Sequence, residues 1–207
     1  MLVIGILGGV ASGKSLVARH LVSLGGQLLD ADRAGHEVLR EEEVKQIVRE
    51  RWGDSVFTPE GEVNRAAVAD IVFGPPPQGP QELQFLEQLT HPRIRGKLTA
   101  TITAARDAKI LPALILDAPV MLKSGWDAIC DHVLFVEASR ENRLRRAQTR
   151  GWSEADFDAR EAAQTALETK RKRADLVIDN NGTEEQTTRQ ITQFWQSLGL
   201  HTSDHRS

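Results

Sequence analysis

The chain has 207 residues, 40% of them hydrophobic and 27% charged, with a formal net charge of −3. That is the composition of a soluble globular protein large enough for one α/β domain, and the slightly acidic balance argues against a general nucleic-acid binder. The lone cysteine, Cys130, excludes an internal disulfide, and no apolar run reaches the eighteen residues that a membrane span requires.

In chain order, the first element is the apolar run Leu2–Leu7, which reads as a buried strand. It flows directly into Gly8-Gly9-Val10-Ala11-Ser12-Gly13-Lys14-Ser15, so it lacks the basic leader of a secretory signal. These eight residues fit the phosphate-binding pattern G-x-x-x-x-G-K-[ST], and Leu16–Val22 reads as the helix that should follow. Glycines let successive backbone N–H groups curl inward around an anion, and the helix aims its positive end at the same point. Lys14 adds a mobile cation for the β- and γ-phosphates, and the Ser15 hydroxyl suits Mg²⁺.

A second strand, Gln27–Asp30, leads to Asp30-Ala31-Asp32. If the strand continues, both carboxylates share a face at the carboxyl edge, where open α/β sheets bind ligands. Asp32 then accepts the proton of a substrate hydroxyl, or holds magnesium-bound water, or one of the pair caps a helix from Arg33. From Asp32 to Pro112 the strand–helix alternation stops. Helices are predicted over Arg33–Arg40, Glu42–Trp52, Arg65–Phe73, Gln81–Leu89 and Arg93–Ala108. Residues 74–80, rich in proline and glycine, read as a stiff, extended surface loop. Pro92 reads as the first position of the last helix, with His91 beside its cap as a structural or substrate-contact residue.

Strand Ala113–Asp117 ends in a carboxylate that either holds Mg²⁺, directly or through water, or shapes the turn before Ala118-Pro119. Cys130, in apolar surroundings, reads as a small buried side chain. Strand His132–Glu137 precedes a basic helix, Arg140–Arg150, on which Arg146 and Arg150 lie one turn apart and face the same way. With a phosphate loop in place, these two arginines suit a closing lid that neutralises charge during phosphoryl transfer. Ser153 and Asp156 mark the cap of helix Ser153–Ala163, and Lys170-Arg171-Lys172-Arg173 reads as a solvated run. Strand Leu176–Ile178 and helix Glu184–Leu198 complete the pattern, with Ile191, Phe194, Trp195 and Leu198 as a core stripe and 201–207 as a flexible polar tail. The alternation predicts a three-layer α/β fold of the phosphate-loop class: a five-stranded parallel sheet with helices on both faces. No zinc-ligand spacing, G-x-S-x-G elbow or N-K-x-D guanine motif occurs.

Taken together these residues resemble the dephospho-coenzyme A kinase family over nearly the whole chain. Gly8–Ser15, Asp30-Ala31-Asp32, Leu89-Thr90-His91-Pro92, Asp117-Ala118-Pro119, Arg146-Ala147-Gln148-Thr149-Arg150 and Ala174–Gly182 match its motifs in order. The resemblance implies transfer of the ATP γ-phosphoryl to the 3′-hydroxyl of dephospho-coenzyme A, the last step of coenzyme A synthesis, with Mg²⁺, in the cytoplasm. By carry-over Asp32 is the base, Lys14, Arg146 and Arg150 are catalytic, and Gly8–Ser15 with Asn180 binds ATP. Asp32, His91 and Asp117 touch the acceptor, and Ser15 and Asp117 hold the metal. The implied organisation over 1–200 is a core (1–32, 112–139, 174–200), an acceptor-binding helical insert (33–111) and a lid (140–173). No nucleic-acid or membrane partner is implied. One departure is Lys123, where the family usually carries a carboxylate. The competing readings are a kinase for another small hydroxyl or nucleotide acceptor, and a nucleotide-binding regulator without turnover.

Overall fold

The computed structural model describes residues 1–200, so the tail expected over 201–207 lies outside the described residues. Two compact units divide the chain: Met1–Leu29 with the chain from Thr101 onward, and Asp30–Ala100.

The first unit is built on a parallel sheet. Its strands are β1 (Leu2–Gly8), β2 (Gln27–Leu28), β3 (Ala113–Leu116), β4 (His132–Glu137) and β5 (Leu176–Asp179), in the order β2-β3-β1-β4-β5. The most apolar strands occupy the centre, because a strand covered on both faces needs apolar residues in both phases. Alternate residues Ile4, Ile6, Ile115, Leu134, Val136 and Ile178 face one layer, packed with Val17 and Leu21 of α1 (Lys14–Ser23). Ile191, Phe194 and Trp195 of the terminal helix (Glu184–Ser197) fill the rest of that layer. The opposite phase, including Val3, Leu7, Leu114, Leu116, Val133 and Phe135, is buried as well.

The second unit is helical. It holds α2 (Ala31–Val38), α3 (Glu42–Trp52), α4 (Arg65–Val72) and most of α5 (Gln78–Ala108), whose last residues from Thr101 count with the sheet unit. Trp52 meets Phe85 edge-on at 5.5 Å, and its indole N–H donates to Glu82, which also receives Arg51. The sheet unit is completed by α6 (Arg140–Gln148), α7 (Glu154–Ala162), α8 (Leu167–Arg173) and the terminal helix, α9. Among the described residues no helix is long and apolar enough to cross a membrane.

Several sequence expectations are corrected. Strand β2 stops at Leu28 rather than Asp30, because the Asp30 carboxylate accepts from the Arg33 backbone N–H at 2.7 Å and starts α2 at Ala31. Asp30 and Asp32 therefore do not share a strand face. The two helices expected around His91-Pro92 are one helix, α5, with Pro92 in its interior. Buried Thr90, Ile94, Leu98 and Ile102, each four residues from the last, keep one face of the helix turned inward across the proline. Near it, the Arg93 guanidinium donates to the Leu89 carbonyl at 3.0 Å and the Thr90 hydroxyl to Leu86 at 2.7 Å. Gln78, Gly79 and Pro80 belong to the first turn of α5 rather than to an extended loop, because a proline in a first turn forfeits no helical hydrogen bond. Helix α6 ends at Gln148, short of Arg150, and α8 has no counterpart among the predicted helices.

Trp195 is fully buried, yet among the described residues its indole N–H has no hydrogen-bond partner. Trp195→Phe, which removes that orphaned donor and keeps a ring, should cost under about 1.5 kcal/mol. Trp195→Ala should cost about 3–5 kcal/mol. Urea unfolding of the two variants, followed by circular dichroism, checks the difference.

Candidate active site

The phosphate loop sits where its strand and helix put it. Strand β1 ends at Gly8, α1 begins at Lys14, and Gly13 joins loop to helix with φ 102°. Only glycine adopts that angle without strain, and a Cβ there would also strike the Asn180 side chain. Among the described residues no side chain caps α1 at Gly13, so its first N–H groups keep their capacity for an anion.

The loop is held through its carbonyls. Asn180, 3% exposed, donates its amide to the Ser12 carbonyl at 2.7 Å and accepts from the Thr187 hydroxyl at 2.9 Å. Arg146 donates to the same Ser12 carbonyl at 2.9 Å and to the Asn180 carbonyl at 2.7 Å. In a trans peptide the C=O and N–H point opposite ways, so fixing the Ser12 oxygen also fixes the direction of the Gly13 N–H. The sequence suggests ligand contacts for both side chains. In the structure each donates to backbone carbonyls.

Lys14 donates to Gly9 at 3.1 Å and to Gly8 at 3.4 Å. Burial pulls its ammonium below the ordinary lysine range, the charge of Asp117 opposes that shift, and Arg150 and Arg143 add to it. Asp117 therefore stands just past the carboxyl end of β3 within electrostatic reach of Lys14. Ser15 is exposed on the first turn of α1. Of Arg146 and Arg150, Arg150 is the exposed one, with its guanidinium 6.0 Å from the Trp152 ring centre. Arg143, 4% exposed, bonds the Ala138 carbonyl at 3.1 Å and pairs with Glu161. The structure thus gathers Gly8–Ser15, Asp117, Arg146, Arg150 and Asn180 in the sheet unit. Asp32 and His91 belong to the helical unit.

Within that unit Asp32 occupies the first turn of α2 and is exposed, and no hydrogen bond or ion pair engages it among the described residues. Asp30 does the capping, which leaves Asp32 available. His91 is half-buried on α5.

Sequence reasoning misses Lys170. The basic run around it reads as solvated, but its side chain is 2% exposed and donates to Gln164 at 2.6 Å and to the Gly8 carbonyl at 3.3 Å. The available signal is helical phase: Lys170 follows Leu167 by three residues and so shares its inward face. Burial, then the charge of Lys14, lowers its pKa to about 8.

The comparisons with known proteins agree on one family. The family described as dephospho-CoA kinase matches residues 2–186. The dephospho-CoA kinase of Geobacillus kaustophilus is 38% identical over 203 residues, covering 95% of this chain and 98% of the relative. That of Rhodopirellula baltica is 35% identical over 189 residues, covering 91% and 87%. The crystal structure of TT1252 from Thermus thermophilus has a TM-score of 0.74 at 33% identity, covering 95% of this chain and 97% of that one. A shikimate kinase from Acinetobacter baumannii shares the fold alone, with a TM-score of 0.51 at 16% identity over 97% and 96% of the two chains.

The lowered pKa of Lys170 has a consequence for stability. Between about pH 8 and the ordinary lysine value of 10.5, the unfolded chain keeps a proton that the folded chain has lost. Stability from this group therefore rises with pH through that window. Lys170→Met should melt higher than the parent near pH 7, and the gap should close by pH 10. Calorimetric melting curves across that range check it.

Proposed function

This chain belongs to the dephospho-CoA kinase family, phosphorylating dephospho-coenzyme A with ATP, and from that premise we propose how its residues divide the work. The observation that carries the reading is the preformed phosphate loop, with a desolvated Lys14 at its mouth and its Ser12 carbonyl tied back by two side chains. In this reading the loop amides and Lys14 grip the β- and γ-phosphates. Arg150, exposed and close enough to depress the Lys14 pKa, supplies the mobile positive charge for the transferring phosphoryl. Arg146 and Asn180 act through the loop: they hold its shape, and the nucleotide is gripped by the backbone they position.

Asp32 takes the proton of the 3′-hydroxyl as its oxygen bonds the γ-phosphorus and the bond to the β–γ bridging oxygen breaks. The exposed carboxylate on the first turn of α2 and its lack of a competing partner among the described residues support this role. The helical insert, 33–111, seats the acceptor with His91 in contact, the segment 140–173 closes as a lid, and the core carries the nucleotide.

The donor set suits Mg²⁺. Ser15 and Asp117 offer hard oxygens beside the phosphate position, and the described residues contain no cluster of three His, Cys, Asp or Glu side chains. A cation that keeps several waters and takes its remaining ligands from phosphate oxygens fits such a place. Ser15 and Asp117 would hold it, and when bound it supplies charge neutralisation between the β- and γ-phosphates. We also assign the protein to the cytoplasm, in keeping with an unpaired Cys130.

The direct test is ADP release from Mg-ATP in the presence of dephospho-coenzyme A. No release above background would overturn the reading. Asp32→Asn should cut kcat roughly 10²–10⁴-fold while calorimetry finds ATP binding nearly unchanged. Full activity in that variant would put the proton acceptor elsewhere. Arg150→Ala should lower kcat by roughly 10³-fold or more with a smaller effect on ATP binding. Steady-state kinetics for both substrates separates the two effects.

A further inference from the structure

Lys170 carries a positive charge into a place where little else favours it. Its side chain is 2% exposed and approaches the phosphate loop from α8. Its ammonium donates to the Gly8 carbonyl at 3.3 Å, the same oxygen that Lys14 approaches from α1 at 3.4 Å. A carbonyl oxygen has two lone pairs and can accept both. The two ammonium groups nevertheless repel across it. Arg143 of α6 adds a third positive charge to the neighbourhood, and Glu161 of α7 opposes them. The Gln164 side chain, just after α7, anchors Lys170 from behind at 2.6 Å. A buried cation facing other cations costs stability, and its two neutral acceptors offset only part of that cost.

The geometry at Gly8 gives that cost a purpose. Lys170 is held from both sides, by Gln164 and by Gly8. The two Lys14 bonds, to backbone carbonyls at 3.1 and 3.4 Å, are both longer than the 2.6 Å bond that anchors Lys170 to Gln164. Of the two, Lys14 is free to respond when an anion arrives. We propose that Lys170 is a positioning residue of the phosphate site: it fixes the Gly8 carbonyl against which Lys14 rests and, by like charge, drives the Lys14 ammonium outward to the incoming polyphosphate. Lys170 then contributes to ATP binding entirely through Lys14. An anion that draws Lys14 away relieves the crowding at Gly8, and Lys170 keeps the carbonyl in place meanwhile. Burial is the larger cause of the lowered Lys170 pKa, and the Lys14 charge adds to it in the direction this crowding requires.

This role for Lys170 rests on Lys14 being a phosphate ligand, so the experiment measures that first. Full-length protein is titrated with ATP by calorimetry as the parent, Lys170→Met, Lys14→Met and the double variant. Parent protein that fails to bind ATP would overturn the phosphate-site reading itself. If the parent binds, Lys170→Met should weaken ATP about tenfold, leave KM for dephospho-coenzyme A unchanged and melt no lower than the parent near pH 7. On the Lys14→Met background the same change should have almost no effect on ATP affinity, the signature of one group acting through another. Lys170→Arg should restore most of the lost affinity. Wild-type ATP affinity in Lys170→Met overturns the proposal, and so does a loss that simply multiplies with that of Lys14→Met. Should Lys170→Met not fold, Lys170→Gln, a donor without the charge, takes its place in the same cycle, with the same supporting and overturning results.

Discussion

Everything at the phosphate site depends on which way the Ser12 carbonyl points. Three parts of the chain converge on that oxygen: the loop that owns it, Asn180 just past β5, and Arg146 on α6. Amide hydrogens can be offered to an anion only if the carbonyls on the same peptides are satisfied elsewhere, since a buried carbonyl left bare costs about 1–3 kcal/mol. The fold meets that condition before any nucleotide arrives. The binding surface is therefore preorganised, and little of the affinity for polyphosphate is lost to ordering the loop. Asn180 is locked in turn by Thr187, one turn into α9, so the stiffness of the loop is inherited from the helix packed beside α1 on one face of the sheet.

Much of this is legible in the residues. The sequence places all five strands to within about two residues, most plainly β1, β3 and β4, which are buried on both faces and so leave no polar phase to confuse the pattern. The spacing of Gly8, Gly13, Lys14 and Ser15 identifies the loop, because no other arrangement of these residues serves the same backbone geometry. What a sequence does not show is whether a polar side chain turns towards a ligand or towards the protein's own backbone. Asn180 and Arg146 read from the sequence as contacts for nucleotide and phosphoryl, and the structure shows that both also donate to the Ser12 carbonyl of the loop. Lys170 is hidden by its basic neighbours. Asp30 and Asp32 are inseparable by spacing, and only the capping bond from Arg33 shows that one is occupied and the other is not. Pro92 misleads for a related reason: a proline need not end a helix whose buried face continues beyond it, and here Thr90, Ile94, Leu98 and Ile102 carry that face through.

The distribution of charge matters more than its total. The chain is net negative, yet Lys14, Arg143, Arg150 and Lys170 are near enough to one another that their charges shift the pKa of Lys14 or Lys170. Low-dielectric surroundings concentrate the field of such a group on the opening it surrounds. Glu161 and Asp117 temper the cluster from two sides. Balance of this kind lets the folded protein tolerate several cations in one place while still offering a strong attraction to a polyanion.

Cys130 offers something different. Its thiol packs beside Met121 and close to the Cα of Gly5, and burial, reinforced by Asp127, raises its pKa to about 12. At neutral pH almost none of it is thiolate, the only form that attacks a maleimide or an iodoacetamide. A cysteine engineered at an exposed position, such as Val22 on the outside of α1, would then react well ahead of Cys130. Fluorophores could be attached singly, without first deleting the native sulfur.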